Sequence, residues 1–397
     1  MQLRLETRIV APAWLNLALP VAAVVATLIL CGGLIAAAGA GVLEAYSALF
    51  AGAFGSRFNV VETLVKAAPL VFTGLAVTVA FRARFWNIGA EGQLLAGAMA
   101  AAWIGALEGL PAWSLVPLMI LGGAVAGGLW AGIPAVLKLR LKVDDVVATL
   151  MLNFVIFYAM MALLSGPWKD PLSGYPDSPD VRMDAEYPIL LEATRMHLGV
   201  LLAAVGAVVI WLLMTRTTFG FSIRAVGENA RAAAHAGLPV ERVVFFTALL
   251  SGALAGLAGV GEVAGLHFQV MASLSPGYGY TGIVIAMLAR LNPLGVVPAA
   301  IFFAAVATGS ESMSRATGVP VFLGDVIQGA SLICMLVALL FTQYRIRIRW
   351  SEAGDRPLRP SVGGQPPGRS GADQHRNRRE GSPPTGDRGS GTGVRKQ

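Results

Sequence analysis

Long stretches of uncharged, apolar residues recur along this chain and constrain its fold more than any other feature. A helix rises about 1.5 Å per residue, so about 20 apolar residues cross a hydrocarbon core about 30 Å thick. Two further segments, 62–81 and 278–289, are apolar but carry a few polar residues. Together with eight long apolar runs they predict ten transmembrane helices in an all-α polytopic membrane protein. The eight runs are 17–42, 88–107, 112–137, 146–165, 198–214, 243–261, 296–309 and 321–342.

Lysine and arginine residues are distributed unevenly between the predicted loops. Short loops rich in these residues are retained in the cytoplasm, and ten spans place both termini on the same side. With cytoplasmic termini, the segments on the inner side carry 12 Lys/Arg residues before the C-terminal tail is counted, and those on the outer side carry 5. We therefore predict that both termini are cytoplasmic and that the protein lies in the bilayer of a bacterial inner membrane.

The same assignment divides the chain into three parts. Residues 1–16 form a cytoplasmic N-terminus, residues 17–342 a transmembrane domain, and residues 343–397 a basic cytoplasmic tail. The tail is rich in Gly, Pro, Ser and Arg, a composition typical of disorder. Its charge favours attraction to anionic lipid head groups, and we expect no nucleic-acid partner. Within the transmembrane domain, we expect the Pro/Asp-rich external loop 166–197 to pack across the outer mouth.

Sequence motifs for catalysis are absent from the chain. No G-x-x-x-x-G-K-[ST] loop occurs, so any ATP must be bound and hydrolysed by another subunit. No C-x-x-C or H-E-x-x-H motif occurs, and the four histidines are scattered. We therefore predict no metal site, no cofactor and no enzymatic activity of the chain itself.

Polar residues interrupt the apolar pattern where the span 88–107 begins. Asn87, Glu91 and Gln93 lie in this short stretch. The free N–H groups at a helix N-terminus stabilise a carboxylate, so Glu91 can be structural. Ionisable groups at membrane depth usually face a bundle interior or a cavity, so Glu91 can also contact a solute. Gly92 and Gly97 permit close approach of a neighbouring helix.

A glycine-rich segment, 273–303, contains a second group of candidates. Tyr278 and Tyr280 alternate with Gly277 and Gly279 at the outer end of a span. Transporters tend to build binding sites where spans are broken and glycine-rich. The two tyrosines can stack on a substrate or belong to an interfacial aromatic belt.

Other polar residues inside the spans have structural interpretations. Glu62 and Lys66 are four residues apart, the spacing of a salt bridge along a helix. Interhelical hydrogen bonds are predicted for Asn153, Glu262, Asp325 and Gln328. Asn153 is also a pathway candidate, so the full set of candidate substrate-pathway residues is Asn87, Glu91, Gln93, Asn153, Tyr278 and Tyr280.

The cytoplasmic loop 215–242 has the features of a docking element. Residues 228–236 are rich in Ala and favour a short helix, which Gly237 and Pro239 would end. Arginines flank this helix, among them Arg224 and Arg231. An exposed helix between two spans can dock onto a partner subunit or can be a solvated connector.

A short motif occurs twice, as ARFWNIG at 83–89 and ARLNPLG at 289–295. Both copies fall at predicted cytoplasmic turns between consecutive spans. They indicate an internal duplication but are too short to establish one.

Five segments carry a resemblance to a known family: PLVFTGLAVTVAFRARFWNIGAEGQLLAGA (69–98), DDVVATLMLNF (144–154), IRAVGENARAAAHAGLPV (223–240), SGALAGLAG (251–259) and SPGYGYTGIVIAMLARLNPLG (275–295). These segments resemble the ABC importer permeases of the branched-chain amino acid and ribose type, most closely the nucleoside and simple-sugar permeases. The resemblance covers residues 62–341. Trp86 and Leu291 depart from the pattern expected at their positions.

The resemblance implies a type II importer fold like that of the cobalamin importer. Two permease subunits, either two copies of one chain or two sister chains, would surround a central path. ATP-binding subunits would lie below them and an extracytoplasmic substrate-binding lipoprotein above. A nucleoside or simple sugar would be translocated with ATP hydrolysed by these partners. The coupling helix seated on the ATPase would contain Arg224, Gly227, Glu228, Asn229, Ala233 and Gly237.

A secondary transporter of a small polar solute, driven by an ion gradient, is the alternative that the residues leave open. Such a protein needs buried carboxylates for proton or sodium coupling. The candidates for this role are Glu91, Glu262 and Asp325.

Overall fold

The computed structural model describes residues 2–7, 13–171 and 174–349. Residues 5–346 form one compact unit, and of a second unit only residues 2–4 and 347–349 are described. The helices are α1 (Ala13–Ala37), α2 (Val42–Phe54), α3 (Arg57–Arg82), α4 (Ala90–Gly105), α5 (Ala112–Leu141), α6 (Asp145–Leu164), α7 (Leu198–Arg216), α8 (Thr218–Glu228), α9 (Ala230–His235), α10 (Val240–Glu262), α11 (Tyr278–Leu288), α12 (Pro293–Thr317) and α13 (Leu323–Gln343). A π-helical turn, Val263–His267, continues α10, and a short 3-10 turn spans Met183–Ala185.

A helix lies at each of the ten predicted spans, although not all of these helices are long. Among the described residues, six helices are long and apolar enough to cross a membrane. They are α3, α5, α6, α7, α10 with its π turn, and α12. Residues 21–37 of α1 and helix α2 form a seventh candidate, bent by 118°. Helices α4 and α11 have only 16 and 11 residues, so the count of ten spans stays a prediction.

Some elements were not predicted from the sequence. Helix α2 follows α1 after a turn at Gly39, whose φ of 81° is in the left-handed region that glycine adopts readily. Helix α8 precedes the expected Ala-rich helix. Strands β1 (Gln2–Thr7) and β2 (Tyr344–Arg349) form a two-stranded sheet, so the described chain is not purely helical. Strand β2 occupies the start of the tail predicted to be disordered, and residues 350–397 lie outside the described part.

The centre of the bundle is α3, in which 89% of the apolar span is buried. Close helix contacts around it depend on glycine. A Cβ at Gly97 would overlap the backbone of Gly256, and a Cβ at Gly92 would lie 2.9 Å from the Asn153 Oδ1 atom. The prediction that Gly92 and Gly97 permit close approach is therefore confirmed.

Two ends of the bundle can be distinguished from their polar contacts. At one end, which we call the Arg82 end, the Nε atom of Arg82 donates to the Leu291 carbonyl (3.0 Å), and Lys138 donates to the Arg84 carbonyl (3.1 Å). At the other end, Arg182 donates to the carbonyl oxygens of two residues that follow α4. The charge count predicts that Arg82, Arg84 and Lys138 lie on the cytoplasmic side of the membrane and that Arg182 lies on the outer side.

The salt bridge predicted between Glu62 and Lys66 is wrong. Lys66 instead pairs with Glu311 of α12, at 2.5 Å between Nζ and Oε1. Glu62 lies 3.9 Å from the Nε atom of Arg195 in the 166–197 loop. Spacing along one helix permits a pair, but the packing of α12 against α3 brings a closer partner to Lys66.

The duplicated motif corresponds to two turns of the same backbone type. The N–H of Phe85 donates to the Ala80 carbonyl (3.1 Å), and the N–H of Leu291 donates to the Ala286 carbonyl (2.9 Å). Arg84 and Arg290 are left-handed, with φ of 54° and 53°. Both turns therefore end a helix with a Schellman-type motif that is closed by arginine rather than the usual glycine.

Candidate functional site

Asn87 and Gln93 form a buried pair of amides at the start of α4. The Asn87 Nδ2 atom donates to Gln93 Oε1 (2.8 Å), and Gln93 Nε2 donates to Asn87 Oδ1 (2.9 Å). Asn87 also donates to Ser251 of α10, whose hydroxyl donates to the Ala76 carbonyl of α3. The two amides satisfy each other and connect three helices, so their contacts serve the architecture of the bundle.

Glu91 lies in the first turn of α4 and holds the start of α11. Its Oε2 atom accepts a hydrogen bond from the N–H of Gly279 at 2.7 Å. Gly279 has no space for a side chain, because a Cβ would overlap the backbone of Glu91. A carboxylate at the positive end of a short helix is electrostatically favourable. Glu91 therefore fixes where α11 begins.

Asn153 connects α4, α6 and α11. Its Oδ1 atom accepts from the Gly92 N–H (2.9 Å), and its Nδ2 atom donates to the Ile88 carbonyl (3.0 Å) and to the Tyr280 hydroxyl (3.1 Å). Asn153 is buried, and Tyr280 is 38% exposed. The interhelical hydrogen bonds predicted for Asn153 are confirmed, and they bring Asn153 and Tyr280 together.

A cavity of about 290 Å³ opens beside this junction. Three of the six predicted pathway residues line it, namely Glu91, Asn153 and Tyr280. The remaining lining residues are Leu95, Phe154, Phe157, Tyr158, Ala272, Ser275 and Gly277. Four of the ten lining residues are therefore aromatic, and most of the polar groups in the wall are already hydrogen-bonded within the protein.

Sequence reasoning missed the aromatic wall of this cavity. Phe154, Phe157 and Tyr158 belong to an uninterrupted apolar run, in which composition alone cannot distinguish a lipid-facing face from a cavity-facing one. Their spacing is three and four residues, which places them on one face of a helix next to Asn153. This spacing was the sequence feature from which the aromatic wall could have been predicted.

Tyr278 and the amide pair lie outside the cavity wall. Tyr278 is the first residue of α11, and its N–H donates to the Ser275 hydroxyl at 3.1 Å. Its side chain packs against the main apolar core. The structure thus separates the two tyrosines that the sequence treated as a pair.

The loop at 215–242 contains two helices joined at Asn229. Helix α8 is amphipathic and buries Ile223, Val226 and Gly227 against the bundle. Asn229 caps α9, because its side-chain oxygen accepts from the Ala232 N–H at 3.0 Å. We call residues 218–237 the coupling segment.

The predicted coupling residues divide by exposure. Glu228, Asn229 and Gly237 are exposed, whereas Gly227 and Ala233 are buried. Gly237 has a φ of 83°, which explains why glycine follows α9. Arg224 is half-buried. The coupling segment is therefore held to the bundle by its buried residues and exposes polar residues to the solvent.

The 166–197 loop packs across the ends of α4 and α10. The Tyr187 N–H donates to the Ala264 carbonyl (2.7 Å), and the Val181 N–H donates to the Phe268 carbonyl (2.8 Å). His197 ends the loop as the cap of α7, accepting from the Gly199 N–H at 3.1 Å. Burial lowers the pKa of His197 to about 4, so its imidazole is neutral at pH 7.

A family model described as the permease component of branched-chain amino acid transport systems matches residues 59–336. The chain belongs to this permease family. A glucose ABC transporter permease, TsgB13 of Haloferax volcanii, is 36% identical and covers 91% of this chain and 98% of its own length. A guanosine ABC transporter permease, NupP of Bacillus subtilis, is 35% identical over 78% of this chain and 88% of its own.

Similarity to solved structures is weaker. PsaBC from Streptococcus pneumoniae, solved in complex with Fab, is 15% identical over 74% of this chain and 95% of its own, with a TM-score of 0.43. That similarity is too low to assign the type II fold. The resemblance to ABC permeases of the sugar and nucleoside type is confirmed, and with it the assignment of this permease as a multi-pass membrane protein.

Proposed function

We propose that this permease is the membrane-spanning subunit of a bacterial inner-membrane ABC importer that translocates a nucleoside or a simple sugar. The observation that carries the proposal is the cavity between α4, α6 and the short helix α11, in a chain of this family. Aromatic faces next to hydrogen-bonding groups suit both solute classes, since rings of bases and of sugars stack on them. Asn153 and Tyr280 would lie on the solute's path.

The coupling segment is the proposed contact with the ATP-binding subunit. Its anchored base and exposed polar residues suit a docking element, and Glu228 and Asn229 are the residues most available to a partner. A second permease, of the same or a sister sequence, and a substrate-binding lipoprotein on the 166–197 side would complete the assembly. In this arrangement the Arg82 end and both termini face the cytoplasm, and the chain spans the membrane ten times.

The geometry does not favour transport driven by an ion gradient. The three carboxylates that such a transporter would use lie in different environments. Glu91 accepts a hydrogen bond from the start of α11. Glu262 is the last residue of α10, and its Oε2 atom lies 3.4 Å from the Nε2 atom of His267 in the π-helical turn. Asp325 is exposed in the first turn of α13.

Uptake in cells lacking the gene, complemented with this chain, tests the proposal while the natural partners remain present. Radiolabelled guanosine and glucose are suitable probes. Uptake of one of them should continue when an ionophore collapses the proton gradient and should stop when ATP is depleted. Dependence on the gradient instead of ATP would overturn the proposal.

The cavity itself is tested by Phe154→Ala, with Phe50→Ala as the matched control. The two side chains are similarly exposed, at 49% and 54%, but only Phe154 lines the cavity. Loss of one stacking partner should lower uptake efficiency about tenfold. Equal effects of the two substitutions on uptake would show that the cavity is not on the solute's path.

A further inference from the structure

The last turn of α3 lies between the coupling segment and the turn that joins α11 to α12. On one side, Gly227 of α8 packs so closely that a Cβ there would overlap the Arg82 carbonyl oxygen. On the other side, the Arg82 side chain donates from Nε to the Leu291 carbonyl at 3.0 Å. A single residue therefore contacts both elements.

The turn that Arg82 holds has an unusual backbone. Arg290 and Leu291 are consecutive and both left-handed, with φ of 53° and 56°. Residues other than glycine keep this conformation only where the surrounding structure holds them. The Arg82 guanidinium provides such a contact at the Leu291 carbonyl.

Helix α11 connects this turn to the cavity. It has 11 residues, so it is a rigid rod about 16 Å long. At its far end, Gly279 is bound to Glu91, and Tyr280 is bound to Asn153 in the cavity wall. A shift of the Leu291 turn therefore changes the position of Tyr280.

We propose that Arg82 is a positioning residue that transmits movement of the coupling segment to α11 and thereby to the cavity wall. The inference rests on the proposed function. Movement of α8 displaces the end of α3 through the Gly227 contact. The hydrogen bond from the Arg82 guanidinium then moves the Leu291 turn, and α11 moves with this turn and displaces Tyr280. Arg82 touches no solute in this scheme.

The test compares ATP hydrolysis with transport in complexes purified from the complemented cells and reconstituted in liposomes. Arg82→Gln removes the guanidinium, and Arg82→Lys keeps the charge without the Nε donor. Arg84→Gln is the matched control, because Arg84 lies in the same region but is exposed. Solute transported per ATP hydrolysed should fall about 2- to 30-fold in Arg82→Gln, a typical range for residues that couple two sites. It should fall less in Arg82→Lys and stay unchanged in Arg84→Gln.

A second measurement follows the cavity directly. Ala272, an exposed residue of the cavity wall, is replaced by Cys in a chain that lacks Cys31 and Cys334. ATP should change the rate at which an impermeant thiol reagent modifies this cysteine, and Arg82→Gln should abolish the change while hydrolysis continues. An unchanged transport ratio, or an ATP effect that survives the substitution, would overturn the inference. Failure of the unsubstituted complex to couple ATP to uptake would instead overturn the proposed function, and the inference with it.

Discussion

Replacing Gly256 by Ala tests the close approach of α10 to α5. The new Cβ would overlap the Gly123 carbonyl oxygen and lie 3.2 Å from the Gly127 Cα atom. Both neighbours are backbone, so the helices must separate by about 1 Å to regain ordinary contact distances. Overpacking of this kind costs about 1–3 kcal/mol.

Gly261 provides the matched control in the same helix. A Cβ at Gly261 would meet no atom within 4 Å. Gly261→Ala therefore changes the stability only through the higher helix propensity of Ala, which stabilises the helix by about 1 kcal/mol. The same gain applies at position 256, so the difference between the two variants measures the overpacking alone.

Thermal unfolding of the two purified variants in the same detergent gives this difference. One kcal/mol corresponds to about 2–4 °C in a domain of 150–250 residues and to less in a larger one, so the melting temperatures should differ by up to about 12 °C, with Gly261→Ala the more stable. Equal melting temperatures would refute the close contact between α5 and α10.

Three further predictions concern other contacts. Asn153→Ala removes the partners of the buried Gly92 N–H and of the half-buried Ile88 carbonyl, and it should destabilise the protein by about 2–3 kcal/mol. Tyr280→Phe should cost about 1 kcal/mol, and denaturation of both variants checks the order. Burial holds the pKa of His197 near 4, below its unfolded value of about 6.5, so stability is fully present above pH 6.5 and decreases as pH falls towards 4. Melting curves from pH 7.5 to 4.5 should show this loss, and His197→Asn, which keeps a capping acceptor, should reduce it. Gly227→Ala should uncouple hydrolysis from uptake because its Cβ displaces the Arg82 carbonyl; normal coupling in that variant would show that α8 tolerates the shift.

Hydropathy was sufficient to place a helix at each predicted span, because a long apolar segment can cross a bilayer only if its backbone groups are hydrogen-bonded within a helix. It could not distinguish spans from shorter helices. Helix α11 begins at Tyr278, as predicted, but with 11 residues it is shorter than the other apolar helices that were predicted as spans. Helix α2 begins where the predicted run 17–42 ends, and only the glycines at the turn indicated a break between α1 and α2.

Polar partners were harder to predict, since they depend on which helices are neighbours. Lys66 has a carboxylate four residues away and nevertheless pairs with Glu311, which is distant in sequence. Asn87 and Gln93 were candidates because they are polar in an apolar setting, yet each one satisfies the other. The interhelical hydrogen bonds of Asn153 were predicted correctly because a single amide in a long apolar helix must find partners on another helix.

The contact between Glu91 and Gly279 has a consequence for which solutes the cavity accepts. The amide end of a helix inside a protein commonly attracts phosphate groups. In α11 that position is already occupied by a carboxylate of the same chain, which offsets the helix dipole and repels a second anion. On the proposed path, the cavity would therefore suit uncharged solutes better than their phosphate esters. A cell that phosphorylates such a solute after uptake would prevent it from leaving by the same route.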